Sequence, residues 1–321
     1  MKLLLGNEAL ALGAMDGGAR FFAGHPLQAS AEIDRALLQA LPERGGTAVL
    51  VEDEAAALAA TLGAGAGGLL GVTATDASGL AMAGPLLEHA AAAGIPALLA
   101  VVGSSNDPRT ANAGPALGSL RVETASQREL GPLRWCASGA ASLPVYAPAS
   151  AGECYSLARA AAREAVARPG PVVIYVDHVI AHLREPVDPS ATDDAAAADA
   201  ATGDGSSEGA DSFRVRDAQV LLVAVGIVAR AARSAVRLAR DRGVRAGLFR
   251  PVRLWPFPEA ALRGAASGVE RVLVAELNDG QLVETVASAL AGLDPRPIVR
   301  SLTGTGMLEP ERIAATAEEK S

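Results

Sequence analysis

TAVLVEDEAAALAATLGAGAGGLLGVTAT, residues 47–75, reads in order as strand, turn, helix and strand. Thr47–Val51 is a short continuous apolar run, as expected of a strand in a covered sheet rather than one with a wet face. Three carboxylates, Glu52, Asp53 and Glu54, stand where a helix begins, and acidic side chains there favour the helix dipole and cap free N–H groups. The Ala-rich stretch carries that helix, glycines at 63, 65, 67 and 68 end it, and Gly71–Thr75 is a second apolar run. Two apolar runs joined by a helix make a βαβ unit, so the strands are parallel and need cover on both faces.

The same alternation extends outward. MKLLLGNEALALGA at the start reads as a strand or turn leading into a helix, and Asn7 and Glu8 break its likeness to a signal peptide. IPALLAVVG (95–103) is a buried strand. LPVYAPAS (143–150), AGECYSLARAAAREAVA (151–167) and GPVVIYVD (170–177) give strand, helix and strand again. Between Pro186 and Ser212 the chain turns to Ala, Asp, Gly and Ser without Lys or Arg, the composition of a solvated linker. A second α/β pattern follows. QVLLVAVG (219–226) is a strand and IVARAARSAVRLARDRG (227–243) an amphipathic helix. VRAGLFRPV, RVLVAEL and PRPIVRSL add three strands. The expected organisation is an α/β domain over 1–186, an acidic Ala/Gly/Ser linker over 187–211 and a second α/β domain over 212–321.

The 321 residues are half hydrophobic and a fifth charged, with aromatics at 3%, so Ala, Val and Leu must supply most of the packing. A net charge of -8 with no basic block argues against nucleic acid or an anionic membrane as partner. No apolar stretch reaches the roughly 18 residues of a membrane span. Cys136 and Cys154 form no CxxC pair, so the chain does not offer four thiolates to an iron–sulfur cluster. They read as free thiols of a cytoplasmic protein. His89, His178 and His182 show no metal-ligand spacing, and no metal site is expected on this chain. Gly203-Asp204-Gly205 has the letters of a magnesium–diphosphate motif but no strand before it, and is read as linker.

Five segments, taken in order and spacing, resemble the alpha subunits of thiamine-diphosphate-dependent 2-oxoacid:ferredoxin oxidoreductases, the family of the pyruvate and 2-oxoglutarate enzymes. They are GNEALALGAMDGGARFFAGHPL, VEDEAAALAATLGAGAGG, TATDASGLAM, PVYAPASAGECYSLARAAAREAVARPGPVVIYVDHVIAHLREPV and FRPVRLWPFPEAALRGAASGVERVLVAELNDGQL. The resemblance implies a pyrimidine-binding domain followed by a transketolase-C-like domain. It also implies a beta subunit that carries the diphosphate and Mg2+ site and the iron–sulfur cluster, with the cofactor lying between the chains. Ferredoxin is then the electron acceptor, a 2-oxoacid the substrate and coenzyme A the family's usual acyl acceptor.

Residue by residue, the resemblance gives Glu54 the role of the acid beside the cofactor's pyrimidine nitrogen, both catalytic and cofactor-binding. Glu52 and Asp53 are left to the surface. The family's Tyr-Pro-Ile-Thr-Pro-Ser loop is here His25-Pro26-Leu27-Gln28-Ala29-Ser30, and its Ser-Gly-Pro-Gly turn is Asp76-Ala77-Ser78-Gly79. Pro26, Asp76 and Ser78 thus fall on the cofactor side, and His25 and Gln28 on the substrate side. The arginine that holds the substrate carboxylate in the family falls near Gly103, which leaves Arg109 as the nearest guanidinium. Leu254-Trp255-Pro256-Phe257-Pro258 is read as a structural turn with Trp255 buried at a domain interface, and Glu276 and Asn278 as fold or contact residues. These departures leave room for an atypical substrate, for a non-oxidative decarboxylase or carboligase subunit, or for a non-catalytic subunit of the same fold.

Overall fold

A computed structural model of the chain describes residues 1–26, 29–103, 126–135, 143–190, 209–304 and 306–319. The described residues within 1–103, 131–190 and 254–256 form a first unit, and those within 126–130, 209–253 and 257–319 a second.

In the first unit β1 (Lys2–Leu5) runs into α1 (Gly6–Asp16). β2 (Phe21–Gly24), α2 (Ala31–Glu43), β3 (Thr47–Leu50), α3 (Glu54–Ala66), β4 (Gly71–Thr75), α4 (Ala77–Ala93) and β5 (Ala97–Val102) then alternate. After α5 (Leu130–Trp135) come β6 (Val145–Tyr146), α6 (Ala151–Ala167), β7 (Pro171–Val176), α7 (His178–His182) and β8 (Arg184–Val187). The main sheet has seven strands in the order β12-β6-β7-β5-β4-β2-β3, where β12 is Arg253–Trp255. The recorded ladders between β6, β7, β5, β4, β2 and β3 are all parallel. Every residue of β4, β5 and β7 is buried, which is why those stretches are apolar without alternation. TAVL is the edge strand β3 and is partly exposed. Leu254-Trp255, read as a turn, is instead edge strand next to β6. Trp255 is buried, with the Arg134 guanidinium 5.5 Å from its ring centre. The chain start pairs antiparallel with β8, Lys2 opposite Val187 and Leu5 opposite Arg184, as a separate two-stranded sheet.

α1 and α6 pack together through small residues. A Cβ placed on Gly13 would lie 2.1 Å from the Tyr155 carbonyl oxygen, a backbone atom that cannot step aside. Gly13→Ala must therefore push the helices apart, and we expect a cost of about 3 kcal/mol, at the upper end of overpacking effects. Thermal unfolding of the chain would show it as a clearly lowered midpoint; an unchanged midpoint would mean that the two helices do not meet here.

The second unit holds β9 (Ala210–Phe213), β10 (Val220–Val223), α8 (Gly226–Asp241), β11 (Ala246–Pro251), α9 (Glu259–Ala265), β13 (Arg271–Glu276), α10 (Gln281–Ala289), β14 (Ile298–Thr303) and α11 (Pro310–Glu318). Its sheet order is β14-β13-β10-β11-β9, parallel except for β9. Glu276 is fully buried and accepts from the amides of Leu282 (2.7 Å) and Val283 (3.2 Å) and from Ser301 Oγ (3.0 Å). Burial pushes its carboxyl pKa up despite those donors. Asn278 accepts from the amides of Gly280 and Gln281, at 2.8 and 3.1 Å, so both residues hold the turn into α10.

Candidate active site

In an open parallel sheet, ligands bind beyond the carboxyl ends of the strands, where the strand order reverses. In the first unit the chain goes from β2 outward to β3, then returns across β2 to β4 and continues away through β5. The reversal lies between β2 and β4. Their recorded ladder covers only Phe21 with Gly71 and Phe22 with Val72, although the strands run on to Gly24 and Thr75. By that rule the ligand edge lies there.

Glu54 stands at one wall of this edge, as the first residue of α3. Asp53 caps the helix, accepting from the Ala56 amide at 2.7 Å, while Glu52 is exposed. Val51 donates to the Gly24 carbonyl at 2.9 Å, which ties the start of this turn to β2. The Glu54 side chain is half-buried and, among the described residues, has no hydrogen-bond partner. The first turn of α4 faces it. A Cβ on Gly79 would lie 1.9 Å from Thr75 Oγ1 and 3.0 Å from Glu54 Cγ. Only glycine leaves α4 this close to both. Thr75 Oγ1 is buried and, among the described residues, has no hydrogen-bond partner. A buried hydroxyl left unpaired costs about 1–3 kcal/mol, so its presence at this edge is informative.

Asp76 and Ser78 lie in the same turn. Asp76 Oδ1 accepts from the Ser78 amide (2.8 Å), the Ser78 hydroxyl (2.5 Å) and the Gly79 amide (3.3 Å), so its carboxylate caps α4. His25 and Pro26 follow β2, with His25 Nδ1 3.3 Å from the Val51 carbonyl oxygen. A cleft of about 540 Å3 opens beside them, between Pro26, Arg35 and Leu38 of α2, and Leu50 at the end of β3. This face of α2 was not singled out from sequence, although Ala31, Asp34, Arg35 and Leu38 share helical spacing. Gln28 and Arg109 lie outside the described residues, as do Cys136 and the 203–205 glycine–aspartate sequence. Gly103 follows β5, and a Cβ there would already sit 3.1 Å from the His178 amide nitrogen. Among the described residues no three His, Cys, Asp or Glu side chains are grouped to hold a metal ion.

The second unit's sheet also reverses, between β10 and β13, but that edge is filled by the protein itself. The fully buried Gln127 donates from Nε2 to the Val225 carbonyl (3.0 Å) and accepts from the Leu277 amide at Oε1 (3.3 Å). An open edge with an acid and an unpaired hydroxyl therefore belongs to the first unit. Those groups fit a planar heteroaromatic ring with a basic nitrogen: Glu54 can share a proton with the nitrogen, Thr75 can bond a polar substituent, and Gly79 offers a flat face. The aminopyrimidine of thiamine diphosphate has that chemistry.

Comparison with known proteins places the chain. Residues 12–212 match the family model described as pyruvate flavodoxin/ferredoxin oxidoreductase, thiamine diphosphate-binding, and residues 218–311 match pyruvate:ferredoxin oxidoreductase core domain II. The 2-oxoglutarate synthase subunit KorA of Archaeoglobus fulgidus is 31% identical over 324 residues, covering 89% of this chain and 90% of that one. The ketoisovalerate oxidoreductase subunit VorB of Methanothermobacter thermautotrophicus is 27% identical over 324 residues, covering 90% of this chain and 89% of that one. A solved 2-oxoglutarate:ferredoxin oxidoreductase from Magnetococcus marinus, with 2-oxoglutarate, coenzyme A and succinyl-CoA bound, has the same fold. It matches at TM-score 0.81 and 20% identity over 99% of this chain, which spans 64% of the solved one. By the family model that covers most of its length, and by relatives matched nearly end to end, the chain belongs to the thiamine-diphosphate-dependent 2-oxoacid:ferredoxin oxidoreductases, as a subunit of the alpha type.

Proposed function

We propose that this chain, with a beta subunit, oxidatively decarboxylates a 2-oxoacid and passes the electrons to ferredoxin. The observation that carries the reading is Glu54 at the reversal edge, set against Gly79 and the unpaired Thr75 hydroxyl, within the residues that match the thiamine-diphosphate-binding model. The first unit serves as the pyrimidine-binding domain and the second as the transketolase-C-like domain; the linker expected over 187–211 is shorter, because Val187 belongs to β8 and Ala210 and Asp211 to β9. The bound cofactor supplies an electron sink for decarboxylation.

The chain's own residues prepare that chemistry. Glu54 holds a proton at the pyrimidine nitrogen, and the α3 N-terminus fixes where its carboxyl points. Gly79 would leave room for the ring beside β4, and Thr75 Oγ1 would be free to bond it. Asp76 and Ser78 shape the α4 turn on the cofactor side, with Pro26 on the β2 side. We assign His25, Gln28 and Arg109 to the 2-oxoacid. The beta subunit brings the diphosphate and Mg2+ site and the iron–sulfur cluster, and coenzyme A takes the acyl group. No helix among the described residues is long and apolar enough to cross a membrane, and we assign the enzyme to the cytoplasm.

Dye reduction by the two-chain enzyme tests this. A low-potential dye is supplied with thiamine diphosphate and a panel of 2-oxoacids, led by 2-oxoglutarate and ketoisovalerate. Reduction that needs both chains and the cofactor is the expected result. Carbon dioxide release without dye reduction would replace the oxidative reading with a non-oxidative one.

A further inference from the structure

The outer face of α8, in the second unit, carries charge in a pattern that does not stabilise a helix. Residues 211–253 hold ten arginines against three aspartates, in a chain whose net charge is -8. Arg230, Arg233, Arg237 and Arg240 are spaced by three, four and three residues, so they form one stripe along α8. Like charges at that spacing repel and weaken a helix. The first turn of α8 holds no acid to favour the helix dipole. Asp217 neutralises Arg240, at 2.6 and 3.0 Å. Asp211 lies 3.8 Å from Arg233 but also bonds the buried Arg250, at 3.3 Å. Arg237 has no ion pair among the described residues.

A half-buried aromatic ring sits under the stripe. The Phe213 ring centre lies 4.3 Å from the Arg233 guanidinium carbon, 5.4 Å from that of Arg214 and 5.7 Å from that of Arg237. Cation–π attraction holds these three cations together against their mutual repulsion. Arginine and aromatic side chains are the types that protein–protein contacts concentrate. α11 packs beside α8 and bears the opposite charge. Glu309 and Glu311 are exposed at its start and have no ion pair among the described residues; Arg312 follows them, and Glu318 and Glu319 close the helix. Glu318 pairs with Arg242, just past the end of α8, at 2.9 Å, so the two helices finish side by side. Counting back about 10 Å from that pair, at 1.5 Å per residue, Glu311 lies level with the stretch from Arg233 to Arg237.

We propose that this two-helix face is where a second copy of the chain docks, the α8 arginines of each copy against the α11 glutamates of the other. A basic helix beside an acidic one makes a self-complementary face. A two-fold axis running between the helices, in the plane of contact, sets each α8 over the other copy's α11 at the same level. Arg237 and Glu311 then gain the ion pair that neither has among the described residues, and the exposed part of the Phe213 ring is covered. The contact is led by exposed charges, so it weakens with salt. It lies in the second unit and stands independently of the functional reading above.

Sedimentation of the full chain at about 0.1 M and about 1 M salt tests this, because the screening length falls from about 10 Å to about 3 Å between them. The parent chain should have the mass of two copies at the lower salt and dissociate at the higher. Arg237→Glu sets two glutamates against each other at both symmetry-related contacts, and Glu311→Arg does the same with arginines. Each should weaken association at least about tenfold. Mixed in equal amounts, the two variants meet with both contacts complementary and should associate as tightly as the parent. A disturbance inside one chain cannot be repaired by mixing. Both side chains are exposed, so each variant should fold, and its thermal unfolding midpoint checks that. A parent chain that sediments as a single copy at the lower salt overturns the proposal. So does association that is equally tight at both salts, association that neither variant weakens, or a mixture no tighter than the variants alone.

Discussion

Glu54→Gln in the assembled enzyme is expected to lower cofactor-dependent turnover by at least about a hundredfold, the low end of what a positioned acid–base group contributes. Glutamine keeps the volume and a hydrogen-bonding oxygen but cannot take up or release the proton. The fold should hardly respond. Glu54 is half-buried and, among the described residues, no group hydrogen-bonds its carboxylate. Among the described residues its structural service is a negative charge in the first turn of α3, worth about 0.3–1 kcal/mol. Turnover and thermal unfolding, measured on the same preparation, therefore separate the two roles. A large loss of turnover with a midpoint near that of the parent supports the assignment. Full turnover in Glu54→Gln would return the residue to the helix-start role that its sequence position alone suggests.

Gly79→Ala is expected to be nearly as damaging, for a steric reason. The added methyl would overlap Thr75 Oγ1 at 1.9 Å and press on Glu54 Cγ at 3.0 Å. Thr75 belongs to a strand buried along its whole length, so α4 or Glu54 must move instead. We expect a stability loss of about 1–3 kcal/mol from overpacking and weakened binding of thiamine diphosphate, read by cofactor titration of the assembled enzyme. Thr75→Ala in the same chain removes the overlapping oxygen. Because the two side chains touch, the double variant should regain stability beyond the sum of the single effects. Additive losses in the cycle would mean that the helix start does not sit against Thr75.

The chain's layered α/β character was legible in local patterns. The apolar runs at 71–75, 97–102 and 171–176 lack alternation because both their faces are covered, and each is a buried strand. The position of Glu54 was legible for a similar reason: an apolar run, three acids and an Ala-rich stretch can only put the acids at a helix start near a strand end. Sequence did not distinguish among those acids by chemistry. Asp53 caps the helix and Glu52 makes no such bond, both of them exposed, which left the half-buried Glu54 as the one facing α4. That separation depends on the direction of each Cα–Cβ bond around the first helical turn.

Four features lay beyond any local reading. The strand order places β2 between β3 and β4, and this order makes the crevice. Leu254 and Trp255, which resembled part of a turn, complete the first sheet in a strand. The second sheet's own crevice is plugged by Gln127, whose partners lie 98 and 150 residues away along the chain. Asn7 donates to groups 22 and 25 residues distant along the chain. Hydrophobic period and capping are set by neighbours within about four residues, so the sequence by itself determined which segments are strands, which are helices and where an acid begins one. Which strand lies beside which, and which buried donor finds which acceptor, is decided only when distant segments compete for the same covered surface. The tertiary structure alone therefore decided where the crevice opens and what holds its rim.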